Sequence, residues 1–223
     1  MKMGSILRLR IAGAEMPDSG SQMSSGRLEA FSDGVIAVII TIMVLELHVP
    51  HQDGWTGLWS VAPRLSVYLL SFLMVGIYWI NHHELIRRTE SVDYLVLWAN
   101  LIFLFVLSLV PYFVDYLDEK DFSSFTTLLY DATMLTAGAA FFLLRWAVMR
   151  RQWYAGSLGR RDTSELWKHG VSLGIYLLAI AVAFYKPWLS LVITALVTVV
   201  WVVPGATVKK RPEEPRPENA PIE

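Results

Sequence analysis

The sequence predicts an all-α fold: a polytopic membrane protein with six transmembrane helices. Three observations carry this prediction: charges are few and bunched, six apolar stretches have bilayer length, and lysine and arginine are shared unevenly between the connections. Of 223 residues, 54% are hydrophobic and 17% are charged, where an ordinary soluble domain carries about 25% charge. The nine tryptophans and nine tyrosines suit a chain that crosses water–lipid boundaries, because their rings favour that interface.

The apolar stretches are Leu28–Leu47, Val61–Ile80, Tyr94–Tyr116, Phe125–Trp146, Trp167–Tyr185 and Trp188–Val208. Each is close to the roughly 20 residues a helix needs to cross a bilayer. Only Lys186-Pro187 separates the last two. Their joint length exceeds one crossing, and a proline enforces the turn between them. Before the first span, Met1 to Ser25 holds no lasting period, and Ile6–Ala14 is broken by Arg8 and Arg10. That stretch lacks the apolar core of a signal peptide. Residues 1–25 are therefore expected to form a mobile cytoplasmic tail, and 26–208 the transmembrane domain. The proline- and glutamate-rich stretch 209–223 should be a disordered tail, since it has too little apolar surface to fold upon.

Orientation follows from the basic residues. Odd-numbered connections hold Arg64, Lys120 and Lys186 among Asp53, Asp115, Asp118, Glu119 and Asp121. Even-numbered connections hold Arg87-Arg88, Arg145, Arg150-Arg151, Arg160-Arg161 and Lys168, and the tails add Arg27 and Lys209-Lys210-Arg211. The positive-inside rule places the even loops and both termini in the cytoplasm of a cell-membrane protein.

Composition also excludes several functions. A net charge of -1 gives no electrostatic footprint for a nucleic-acid partner. With no cysteine, disulfides, thiolate metal sites and cysteine nucleophiles are absent.

Polar groups inside lipid cost free energy, so those present carry most of the information. The first span opens Arg27-Leu-Glu-Ala-Phe31-Ser32-Asp33-Gly34, the second ends Trp79-Ile-Asn-His82-His83, and the third carries Asn100. With the orientation above, these groups lie at similar depth, where Asp33, a histidine and Asn100 can satisfy one another. Such a knot is either a proton or ion site or a structural clasp, and the frequency of polar interhelical contacts in bundles favours the clasp. A metal reading of His82-His83-Glu84 is weak, because a catalytic zinc needs three convergent ligands and neighbouring helical side chains diverge by about 100°. The same divergence disfavours a haem enzyme, and no cofactor is expected. Asp131, in the fourth span, reads as a solvated residue near the outer interface, and Ala137-Gly138-Ala139-Ala140 as a packing face.

These motifs resemble those of the transmembrane protein 175 family of potassium channels in its bacterial form. The resemblance rests on Arg27-x-x-x-Phe31-Ser32-Asp33, Trp79-x-x-His82-His83, and the run from Asn100 to Pro111-Tyr112-Phe113. It covers Arg27 to Phe113, with only hydropathy in common thereafter. It implies a six-helix subunit, a homotetramer around a central pore lined by the first helix, and a potassium-preferring channel rather than an enzyme. The partners would be potassium ions, membrane lipid and further copies of the chain. The structural polar network would comprise Arg27, Phe31, Ser32, Asp33, Trp79, His82, His83 and Asn100.

The resemblance also places Val38 where family pores narrow. On a helical wheel Gly34, Val38, Thr41, Ile42 and Leu45 share its stripe, whereas Asp33 stands about 140° away. Val38, Thr41, Ile42 and Leu45 would then form the constriction and selectivity region. Periodicity alone does not choose this face, because Val35–Leu47 is apolar nearly all round. No Thr-Val-Gly-Tyr-Gly loop is present, so a filter of backbone carbonyls is not on offer. The competing expectation is a proton-coupled transporter or proton pathway using Asp33, His82 or His83. Against it, Pro63 and Pro204 fall near span ends, whereas transporter helices break near the midplane.

Overall fold

The computed structural model describes residues 24–89, 92–154 and 159–202. The expected tails, including Lys209-Lys210-Arg211, lie outside these residues except for Ser24 and Ser25. Among the described residues the chain is all helix and connection. Its elements are α1 (Ser25–Leu45), α2 (Gly54–Ser60), α3 (Ala62–Arg87), α4 (Tyr94–Ser108), α5 (Val110–Glu119), α6 (Ser124–Tyr154), α7 (Arg160–Ala183) and α8 (Pro187–Val202).

Five stretches are long and apolar enough to cross a membrane: Ser25–Leu45, Ala62–Arg87, Tyr94–Glu119, Ser124–Arg150 and Ser164–Ala183. α8 is apolar but shorter, with 16 described residues, and its expected continuation to Val208 lies beyond them. The 31 residues of α6 make a helix about 46 Å long, more than a hydrocarbon core of about 30 Å requires. Large apolar side chains such as Leu69, Phe105, Leu177 and Val192 point outward as well as inward. Helices that are apolar all round belong in lipid.

Local chemistry sets the boundaries. Asp93 caps α4 by accepting the Val96 N–H at 3.1 Å, and it pairs with Arg150 of α6. Burial alone would raise this carboxyl, but the Val96 N–H and the Arg150 guanidinium outweigh it and hold Asp93 below the ordinary carboxylate range. Prolines occupy the first turns of α3, α5 and α8, where a missing N–H leaves no bond unmade. Pro111 thereby divides the third span into α4 and α5, which meet at Leu109. The short α2 in the first connection was not anticipated. It is capped by Asp53, which accepts the Gly54 N–H at 2.7 Å.

α6 is the central helix, in contact with α4, α5, α7 and α8, while α1 lies against α3, α4 and α5. The core centres on three rings, Tyr78, Phe103 and Phe141, whose centroids are 5.2–5.7 Å apart. Ala137, Gly138 and Ala140 let α6 approach its neighbours closely: a Cβ on Gly138 would stand 3.3 Å from both Leu173 Cδ2 and the Tyr78 hydroxyl.

Asp131 differs from its sequence reading. It is fully buried, and both carboxyl oxygens are engaged by α8, one by Ser190 and the other by the Thr194 hydroxyl at 2.7 Å. Hydropathy reports depth but not facing, so partners 59 and 63 residues away were invisible to it. Asp131→Ala should cost about 1–3 kcal/mol by stranding these hydroxyls. Asp131→Asn, which keeps an acceptor, should cost less; thermal melts of the purified protein would rank the two.

Candidate functional site

α1 presents two faces of different character. Leu28, Ser32, Ile36, Ile39 and Met43 recur every three or four residues and are buried against α3, α4 and α5. The opposite face is bare. Phe31 is 54% exposed, Val38 55%, Ile42 40% and Leu45 78%, and Gly34 and Thr41 are exposed with them. The stripe named from the sequence therefore has no cover within its own chain. Beside it runs a groove of ≈ 690 Å³ between α1 and α5, lined by Phe31, Gly34, Val38 and Ile42 on one side and Pro111 and Tyr112 on the other. Glu46 and Asp115 face the same groove.

At its N-terminal end α1 is tied to the bundle by polar bonds. His82 Nε2 lies 2.8 Å from Asn100 Oδ1, and Asn100 Nδ2 donates to Ser32 Oγ at 2.9 Å. Ser32 in turn donates to the Leu28 carbonyl at 2.9 Å. The direction of donation along this chain puts the His82 proton on Nε2. All three side chains are fully buried, and the His82 ring stacks on Phe103 at 5.9 Å.

Asp33 is not part of that chain. One step of about 100° around α1 separates it from Ser32, and its Oδ1 accepts from Trp79 Nε1 at 2.9 Å. His83 likewise parts from His82, with its Nδ1 2.7 Å from Glu29 Oε1. The structure thus brings Ser32, His82 and Asn100 together, and separately Asp33 with Trp79. Arg27 and Phe31 are exposed. Sequence reasoning missed Glu29, whose place one turn before Asp33 was its only signal. Among the described residues, every side-chain hydrogen bond or ion pair from α1 to another helix leaves from residues 29–33.

Several apolar crossings and buried polar ties between helices define a multi-pass helical membrane protein. The family described as "Endosomal/lysosomal potassium channel TMEM175" matches residues 27–111, from α1 to the start of α5. The chain belongs to the TMEM175 family. It is 38% identical over 192 residues to a potassium channel of Chryseobacterium sp. (strain P1-3), covering 86% of this chain and 100% of that relative. A potassium channel of Chamaesiphon minutus is 31% identical over 193 residues, covering 78% of this chain and 92% of its own length. The fold matches the crystal structure of a lysosomal potassium-selective channel TMEM175 homolog from Chamaesiphon minutus with a TM-score of 0.70. That match has 26% identity and spans 81% of this chain and 97% of the other.

Proposed function

We propose that this chain is the subunit of a potassium-preferring cation channel in the cell membrane. Four copies would enclose a pore lined by α1, each copy crossing six times with both termini in the cytoplasm. The observation that carries the reading is the uncovered Gly34–Val38–Thr41–Leu45 face of α1, opposite the face that Ile36, Ile39 and Met43 bury in the bundle. Family membership supports it, as do the names of the bacterial relatives.

Rings of Val38, Ile42 and Leu45 would make hydrophobic collars, which resist wetting and oblige a passing ion to shed water. Potassium gives up hydration at lower cost than sodium. Thr41 donates its hydroxyl hydrogen to the Val38 carbonyl at 2.9 Å, which leaves its oxygen lone pairs free for a cation. Four such oxygens would replace part of the lost shell. Glu46 and Asp115 would raise local cation concentration at one mouth, within a screening length of about 8 Å at physiological salt. Conduction is passive and needs no catalytic residue. The buried, mutually bonded Ser32, Asn100 and His82 support a structural clasp over a proton carrier.

Purified protein in liposomes tests the reading. Fast flux down a potassium gradient, exceeding that down an equal sodium gradient, is expected. Absence of flux for either ion from intact oligomers would overturn it.

A further inference from the structure

Glu29 and Asp33 stand one turn apart on α1, and His83 reaches them from α3. One potential ligand atom from each, an imidazole nitrogen and two carboxylate oxygens, lies within 4.8 Å of the other two. An ion held at about 2.1 Å sets tetrahedral ligands about 3.4 Å apart, so modest side-chain rotation closes the three onto one centre. His83 Nδ1 and Glu29 Oε1 are already 2.7 Å apart.

Three features favour an ion over a mere contact. Among the described residues no lysine or arginine pairs with either carboxylate. The two acids therefore meet one imidazole and no fixed cation. Trp79 Nε1 donates to Asp33 Oδ1, the kind of outer hydrogen bond that orients a metal-binding carboxylate while leaving its second oxygen free. Finally, His83 Nδ1 is closed to solvent and makes no well-directed hydrogen bond, although the His83 and Glu29 side chains keep 37% and 22% of their surface, so that nitrogen is left for an ion.

We infer that Glu29, Asp33 and His83 form a divalent transition-metal site of the zinc class. An imidazole with two carboxylates suits Zn²⁺, whereas Mg²⁺ and Ca²⁺ prefer sites built of oxygen alone. Three protein ligands leave a coordination position for water. An ion bound by all three crosslinks α1 to α3. The sequence pointed elsewhere because His82-His83-Glu84 are neighbours whose side chains diverge, while these ligands converge from two helices.

The site is independent of the channel reading, and its test does not measure flux. Zn²⁺ is titrated by calorimetry into the purified full-length protein in detergent, beside His83→Asn, Glu29→Gln, Trp79→Phe and Glu84→Gln. The expected results are about one ion per chain, loss of binding in His83→Asn and Glu29→Gln, and affinity about 10–100-fold weaker in Trp79→Phe. Glu84→Gln should bind as the wild type does. Undiminished binding in both His83→Asn and Glu29→Gln, or no binding to wild-type oligomers, would overturn the proposal. Should a variant fail to assemble, the wild type answers alone. Zn²⁺ should protect His83 from diethyl pyrocarbonate, read by mass spectrometry, and equal labelling with and without the ion would refute the site.

Discussion

Asn100→Ala is expected to lower the melting temperature of the purified protein and, in the proposed tetramer, to loosen assembly. Asn100 joins α4 to both α3 and α1 through a single amide. Its removal strands His82 Nε2 and leaves Ser32 Oγ without a donor, both in sites closed to solvent. A buried polar group left unpaired costs about 1–3 kcal/mol. Polar contacts within membranes average less, about 0.6 kcal/mol, because groups released into the rest of the bundle find new partners. The higher figure applies here, since Phe103 covers the His82 ring and Leu28 and Ile36 flank Ser32 on the same buried face. Fluorescence-detected size exclusion after heating would read the effect. An unchanged melting point would mean that water or a rotated His82 replaces the amide.

The second large effect concerns transport rather than stability. If the proposed pore holds, Val38→Ala should raise potassium flux by widening the proposed collar, and Thr41→Val should lower the potassium-to-sodium ratio by removing the proposed ring of oxygens. Neither side chain is packed within its own chain, so each should shift subunit stability by no more than about 0.5 kcal/mol. Ile39→Ala supplies the contrast. Ile39 neighbours Val38 but is 3% exposed, on the packed face, so its truncation should cost about 2–5 kcal/mol and leave the ion ratio alone. Bilayer recordings of the three variants separate the two faces of α1. Wild-type selectivity in Thr41→Val would remove the hydroxyl ring from the proposed pore.

The all-helical architecture was legible because its signals are local. Apolar length marks the spans and Pro187 the turn between the last two, whereas the division of the third span at Pro111 was not read. Which way a side chain faces was legible only in part. The exposed stripe from Gly34 to Leu45 matches the helical wheel, but the choice of that face came from family motifs, not from periodicity. Around α1 the sequence named the members of the polar network but grouped Asp33 with a histidine and Asn100, and the structure corrects that grouping. Ser32, not Asp33, meets Asn100, because one residue on a helix turns the side chain toward a different neighbour. Asp131 and Glu29 were unreadable for a common reason. Their significance lies in partners from other helices, Ser190 and Thr194 for one and His83 for the other. No local pattern encodes such meetings.

The confinement of α1's polar ties to residues 29–33 has a mechanical consequence. Hydrogen bonds are directional and break over a few tenths of an ångström, whereas apolar contacts are non-directional and allow one surface to slide on another. α1 is thus held by directional bonds at its root and, beyond it, by the apolar packing of Ile36, Ile39 and Met43. Gly34, the first residue past the root, adds a compliant point, since a glycine inside a helix restrains the backbone least. A small tilt about the root, with that apolar face sliding on its neighbours, displaces Ile42 and Leu45 further than Val38. In the tetramer proposed above, four such helices about one axis would change aperture most at the Leu45 end and least beside the anchor.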